Sequence, residues 1–383
     1  MQKSTSQLLR TACGLFGEPG STLTPERAGL FASAFAAEYA SGRILAAADD
    51  LPGAKVLLDA LVPVLEDAGC DVLEITGITL PMAQFQLASN RCCAGLYAAG
   101  NGIRILSPRF ADADSYWASL LPENAAEEVR RANLSVVLDC QKGAAEHIAD
   151  DFAAFFHLNL IRTTNAANAA GKLAAAAGAA IGLCWNGDGT QCQLALPGAE
   201  MPLSPYRTAP VAARQYLLEH PGAALRNSGN DSLILEDFVQ RHGGTLSAET
   251  GDFTLLPEGA FALHPASTGD ALEMSAFFLL QCARGAMWDN LFAQLYPYHA
   301  EIRELPLETP RRNALLRSLR GRFGDGKAVI RSTLNFDWND GRLTLRWREN
   351  SHTILLCSEA KKRKVARERL DLACKLLQNG GVR

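Results

Sequence analysis

The sequence predicts an α/β chain, with three α/β units in tandem and a small α+β unit after them. Short apolar runs of strand length alternate with longer segments whose apolar residues recur every three or four positions, the rhythm of strand–helix–strand units. That rhythm restarts near residue 131 and again in the middle of the chain, so the units repeat. The tail then changes to closely spaced runs of alternating side chains joined by tight turns.

The first helix is predicted in "LTPERAGLFASAFAAEYASG", where Thr24 is placed to cap it, Pro25 sits in its first turn and Gly42 stops it. "RILAAADD" follows as a strand, "GAKVLLDALVPVLEDAG" as a helix and "DVLEITGI" as the next strand. In the second unit, "NLSVVLDCQKGAAEHIADDFAAFFHL" gives a strand ending at Asp139, a Gly turn and a helix, and a further strand starts at Ala179. The third unit is read from "GAALRNSGNDSLILEDFVQRHGG" and "AFALHPASTGDALEMSAFFLLQCARG". The tail, "STLNFDWNDGRLTLRWRENSHTILLCSEA", reads as three short strands, with Asn339-Asp340-Gly341 as one tight turn and a closing helix from Lys361. Prolines and charges in "ELPLETPRR" mark the last boundary, so the expected domains are 1–130, 131–205, 206–305 and 306–383.

At 383 residues the chain is too long for one ordinary domain. Its 48% hydrophobic and 20% charged content is that of a globular protein, and a net charge of -4 argues against a general binder of nucleic acid or anionic membrane. Small molecules or proteins are the expected partners. The ten cysteines form no CxxC pair and sit mostly in apolar runs, which predicts reduced buried thiols in a cytoplasmic protein; Cys92-Cys93 is read as core. The N-terminal stretch has no signal-peptide core, and the most apolar window, Ala166–Trp185, carries Lys172 and breaks into helix and strand rather than spanning a membrane. The seven histidines show no metal-binding spacing, and the basic run Lys361–Arg369 reads as the solvated face of the closing helix.

The stretch "AAIGLCWNGDGTQCQLAL" carries the functional question. A tight Gly-Asp-Gly at a strand end is how a chain presents carboxylates to a divalent metal, yet Asp188 is the only acid, with Asn186 and Thr190 at the flanking alternate positions.

With this loop in the second of three α/β units, the chain resembles the phosphohexomutase superfamily, the phosphoglucomutases, phosphomannomutases and phosphoglucosamine mutases. The resemblance runs over nearly the whole length through "LTPERAGLFASAFA", "ILAAADDLPGAKVLLDALVPVLEDAGCDVLEITGITLPMAQF", "AGLYAAGNGIRI", "SVVLDCQKGAA", "IGLCWNGDGTQC", "LLPEGAFALH...TGDALEM" and "RLTLRWRENSHTILLCSEA". It implies four domains around a central cleft and transfer of a phosphate between two hydroxyls of a sugar phosphate. Such transfer needs an aligned donor and a cation against the developing charge. The family supplies a phosphoserine, a magnesium on three aspartates, a glutamate sugar loop and a phosphate-binding loop.

This sequence departs from the family at each of those loops. The serine loop, Thr-Ala-Ser-His-Asn-Pro, is absent before Asn101-Gly102-Ile103-Arg104, and Ser107 reads as an ordinary loop serine. Asn186, Asp188, Thr190 and Gln191 stand in the metal loop where Asp-Gly-Asp-Gly-Asp-Arg is expected, so no metal and no catalytic residue are predicted. The phosphate loop keeps Arg346 and places Trp347 and Arg348 where proline and serine belong. Glu258 matches the sugar-loop glutamate but Ala260 replaces a serine, and Asp49 occupies the Gly-Arg-Asp position after the first strand. The expectation is a non-catalytic sugar-phosphate-binding or regulatory protein with Arg104, Asp188, Glu258, Arg346 and Arg348 as candidate ligand contacts, taking a phosphorylated sugar or nucleotide, or another protein, as partner. Two alternatives stay open: a divergent mutase or sugar phosphatase using Asp188, Asp49 and Glu258, and a scaffold for an active relative.

Overall fold

In the computed structural model, the described residues are 8–11, 13–18, 20–39, 42–106, 114–163, 169–203, 205–227, 232–247, 253–255, 261–262, 269–288, 290, 298–306, 319, 321–324, 327–330, 333–347 and 353–379. The chain divides into two compact units, one of Met1–Leu203 with Phe261–Ala286, the other of Ser204–Ala260 with Met287–Arg383.

The first unit holds two sheets. Strands β1 (Leu9–Thr11), β2 (Gly14–Phe16), β3 (Arg43–Ala48), β4 (Asp71–Thr76), β5 (Ala94–Ala99) and β6 (Gly102–Leu106) lie in the order β1-β2-β6-β5-β3-β4. The β3 strand runs parallel to β4 and β5, while β6 and β2 are antiparallel additions. Period-two alternation sends Ile44 and Ala46 of β3 to the face covered by α1 (Pro25–Tyr39) and α2 (Pro52–Asp67), through Phe31, Phe35, Leu57 and Leu61. Leu45 and Ala47 face the other side, against Leu80, Ala83 and Leu87 of α3 (Leu80–Ser89).

After α4 (Glu123–Ala132), the second sheet has the order β10-β9-β7-β8, from β7 (Ser135–Cys140), β8 (Asn159–Thr163), β9 (Ile181–Trp185) and β10 (Cys192–Ala195). The helix expected after Asp139 is broken into α5 (Ala144–His147) and α6 (Ala149–Phe156) at Ile148, whose ψ of -2° is opened from the usual helical value. Helix α7 (Ala170–Ala177) covers β7 and β9, ending at Gly178 in the left-handed conformation that a glycine C-terminal cap supplies.

In the second unit, α8 (Pro205–Glu219) and α9 (Leu233–Arg241) accompany β11 (Ala224–Asn227), which pairs in parallel with β12 (Thr245–Ser247) and β13 (Phe253–Leu255). The chain then returns to the first unit with β14 (Phe261–Ala262) and α10 (Ala271–Ala283). This segment falls inside the range 206–305 that the sequence assigns to the third domain. Every residue from Ala271 to Gln281 is buried, as expected of a helix apolar all round.

The last sheet is antiparallel throughout, in the order β15-β19-β18-β17-β16, from β15 (His299–Pro306), β16 (Lys327–Ile330), β17 (Thr333–Trp338), β18 (Gly341–Trp347) and β19 (Thr353–Ala360). Its first strand lies before the boundary expected at residue 306. Trp338 pairs with Gly341 across the expected Asn339-Asp340 turn. In α11 (Arg363–Asn379), Ala366 and Leu370 enter the core while Lys364 is exposed, as are Lys361 and Lys362 just before the helix.

Among the described residues no helix is long and apolar enough to cross a membrane. None of the ten cysteines forms a disulfide, but Cys13 and Cys93 are exposed, so of the adjacent pair only Cys92 is core. Burial pushes the thiols of Cys140, Cys184 and Cys192 up to about 12, which makes them poor nucleophiles.

Candidate functional site

The first unit gathers its polar side chains where β3, the β5–β6 hairpin and the β9–β10 loop end. Ala99 pairs with Gly102, so Gly100 and Asn101 are the whole connection between β5 and β6. No segment remains there to carry a serine. The turn is tied to β3 by Asp49, whose Oδ1 accepts from Leu51 N (2.9 Å) and whose Oδ2 accepts from Gly100 N (3.2 Å). Asp49 is only 4% exposed; burial raises its pKa against these two hydrogen bonds, and the charges of Asp188 and Asp50 add to the rise.

The β9–β10 loop, Asn186–Gln191, is held by its backbone. Ala145 N donates to Gly187 O (3.0 Å), Leu80 N to Asp188 O (3.0 Å) and Ala271 N to Gly189 O (2.8 Å). Gly187 lies so close to Lys142 O that a Cβ would overlap it, and Gly189 has φ +71° beside Thr79. Trp185, buried at the loop entrance, donates through Nε1 to Ser275 Oγ (2.7 Å) on α10.

The loop side chains turn inward on one another. Asp188 Oδ1 accepts from Asn186 Nδ2 (2.7 Å), Thr190 Oγ1 (2.6 Å) and Thr190 N (3.2 Å), while Asn186 Oδ1 accepts from Gln191 N (2.8 Å). The other Asp188 oxygen, Oδ2, forms an ion pair with Arg104 Nη2 of β6 at 3.3 Å, with the two side chains 24% and 16% exposed. Beneath them, burial and the charges of Asp49 and Asp188 hold the Tyr97 phenol well above its ordinary pKa, and it donates to Ile78 O (2.9 Å). At the rim, His147 Nε2 lies 3.1 Å from Asp50 Oδ2.

No protein-family model and no curated protein sequence matches the chain. Solved structures do. A phosphoglucomutase/phosphomannomutase family protein from Burkholderia thailandensis superposes at a TM-score of 0.73, with 18% identity and 97% of each chain covered. The phosphoprotein pp63/parafusin, a phosphoglucomutase from Paramecium, superposes at 0.69 with 11% identity, covering 98% of this chain and 96% of that one. The N-acetylphosphoglucosamine mutase of Aspergillus fumigatus, in complex with GlcNAc-6P and magnesium, superposes at 0.56 with 12% identity over 89% of this chain and 78% of that one. The chain has the phosphohexomutase fold.

Measured against what a phosphohexomutase magnesium site requires, the donor set does not fit. Magnesium asks for near-octahedral hard oxygens, with carboxylates or phosphates supplying the negative charge. This loop offers one carboxylate, with one oxygen saturated by three hydrogen bonds and the other facing a guanidinium. Among the described residues no group of three or more His, Cys, Asp or Glu side chains is gathered to hold a metal ion.

Of the five candidate ligand contacts, Arg104 and Asp188 come together, as a mutual pair rather than as two separate groups awaiting a ligand. Glu258 and Arg348 lie outside the described residues, as does Ser107. Arg346, in the second unit, is buried at 7% exposure in β18, in register with Thr333 and Leu355, so it is not the surface arginine that strand arginines usually are. Two further polar assemblies in that unit lay outside the sequence reading. Glu359 of β19, 1% exposed, accepts from Ser232 Oγ and Leu233 N (both 2.6 Å) at the start of α9. Arg342 of β18 pairs with Glu236 (2.6 Å) and Asp337 (2.5 Å); burial opposes its charge, but the two carboxylates hold its pKa above the ordinary value.

Proposed function

We propose that this chain is a phosphohexomutase-superfamily protein that keeps the fold without the mutase chemistry and serves as a non-catalytic binder of a phosphorylated sugar or nucleotide, in a regulatory role. The observation that carries this reading is the pair of altered loops in the first unit. The β5–β6 connection is a bare turn without a serine, and Asp188 is committed to Asn186, Thr190 and Arg104. Phosphoryl transfer depends almost wholly on donor alignment and charge stabilisation, so losing both removes many orders of magnitude of rate. A coupled assay with sugar 1-phosphates, magnesium and the bisphosphate activator is expected to show no turnover above a heat-killed control. Turnover would reject the reading.

Retained binding draws support from the relatives, one of which carries GlcNAc-6P, and from the guanidinium kept at Arg346, a group suited to bidentate phosphate contact. Calorimetry against a panel of hexose phosphates and nucleotides is expected to give affinities of roughly micromolar to millimolar, because the hydroxyl cup of the family's phosphate loop is missing. Arg346→Ala should weaken that binding. Absence of heat with every compound would move the reading to a scaffold. The enzyme alternative has one observation in its favour, the raised pKa of Asp49 at a strand end, but both oxygens of that carboxylate already bind backbone amides.

A further inference from the structure

Arg104 sits on β6, between Tyr97 of β5 and Gly14 of β2 in the sheet register, so its backbone position is fixed by strands on both sides. Its guanidinium is largely withdrawn from water, and the Nε atom is buried without a hydrogen-bond partner. Withdrawing a guanidinium in this way is costly unless a carboxylate answers it. The answering group is Asp188, on a loop belonging to the other sheet of the unit, and Asp49 and Asp50 add two more negative charges nearby. The loop that carries Asp188 is fixed by glycines that admit no side chain and by backbone ties to three other segments; Asp188 Oδ1 and Asn186 Oδ1 are spent within it, which leaves Asp188 Oδ2 as the carboxylate oxygen that faces outward. One positive charge is needed there, and β6 provides it.

We propose that the Arg104 guanidinium is a tethered replacement for a divalent cation: seated against Asp188, it supplies from within the chain the positive charge that such a loop otherwise takes from solution, and it makes the conformation of the β9–β10 loop independent of metal. Arg104 is thus a positioning residue. The inference does not depend on any ligand being bound elsewhere, so it stands or falls separately from the binding reading above.

Manganese is a suitable probe, because the resonance of the free ion reports its uptake directly. The full chain is titrated with Mn²⁺ as wild type, Arg104→Lys, Arg104→Gln and the double variant Arg104→Gln/Asp188→Asn, with circular dichroism to check folding. Wild type and Arg104→Lys are expected to show no saturable uptake into the millimolar range. Removing the guanidinium frees Asp188 Oδ2, the one carboxylate oxygen not spent within the loop, so Arg104→Gln is expected to gain weak uptake of Mn²⁺ in the millimolar range and a Tm that rises with the ion, both lost in the double variant. Uptake by wild type that Asp188→Asn abolishes overturns the proposal, and so does a folded Arg104→Gln that takes up no ion. If Arg104→Gln does not fold, the single variant Asp188→Asn decides: stranding the Arg104 charge should lower Tm by a few degrees, less at high salt, and an unchanged or higher Tm rejects the role.

Discussion

The β5–β6 turn and the β9–β10 loop belong to the same unit and differ in opposite ways from the phosphohexomutase loops that the sequence resembles. At the first the loop itself is missing, and two residues join the strands. At the second the whole turn is present and only its side chains differ from a metal loop. The ties explain the difference. Three consecutive carbonyls of the β9–β10 loop, those of Gly187, Asp188 and Gly189, accept amides from α5, the start of α3 and the start of α10. Removing that loop would leave buried backbone groups in three other elements unpaired. The β5–β6 turn carries a lighter attachment, the Asp49 carboxylate and one amide bond from Gly17 N to Asn101 O (3.1 Å). A loop that other elements use as a hydrogen-bond partner is structural whatever its side chains do, and its chemistry can be lost without its shape.

That contrast can be broken from the loop side first. Gly187→Ala drives a Cβ into the Lys142 carbonyl, a rigid neighbour, and should cost about 3 kcal/mol or prevent folding, read by urea denaturation. Rebuilding the acids as Asn186→Asp with Thr190→Asp should sharpen the contrast: the variant is destabilised without magnesium and recovers up to about 2.7 kcal/mol at a hundred times its dissociation constant, whereas the wild-type Tm stays unchanged in millimolar magnesium. From the hairpin side, Asp49→Ala leaves the Leu51 and Gly100 amides without their acceptor and should cost about 2 kcal/mol, reduced by relief of the buried charge. Because folding raises the Asp49 pKa, its linkage favours the fold at acid pH and is lost as the pH rises through that value. Asp49→Asn should therefore remove a falling contribution and make the slope of stability against pH more positive in the carboxylate range, and an unaltered slope would show that Asp49 is not the group responsible. Smallest of all, His147→Ala removes an exposed partner of Asp50 and should move Tm by no more than its measurement error.

What could be read in the sequence follows the range of the interactions. Local periodicity and end signals placed the first helix between Thr24 and Gly42, where Pro25–Tyr39 is found, the next strand in "RILAAADD", found as Arg43–Ala48, and the Asn339-Asp340 turn. Missing residues were legible too, since the absent serine segment shows in "AGLYAAGNGIRI" directly. Pairings between distant residues were not. Arg104 and Asp188 each look like a free charge in sequence, and only the two sheets bring them into contact. Arg346 alternates along its strand as a surface residue would, yet it is buried. A usable signal did exist for α10: "ALEMSAFFLLQCA" is apolar on every side, which calls for packing all round it. Nothing local says which unit supplies that packing.

The return of Phe261–Ala286 to the first unit orders events during synthesis. When a ribosome has delivered residues up to Leu203, the Trp185 indole and the Gly189 carbonyl still wait for Ser275 and Ala271. The Tyr116 hydroxyl likewise waits for Asp270, 3.0 Å away in the finished chain. The nascent first unit lacks these partners while the whole stretch Ser204–Ala260 is translated, at about 5–20 residues per second. For those seconds it depends on whatever holds an unfinished chain apart from its neighbours, and a gene fragment ending near residue 203 would make that exposure permanent.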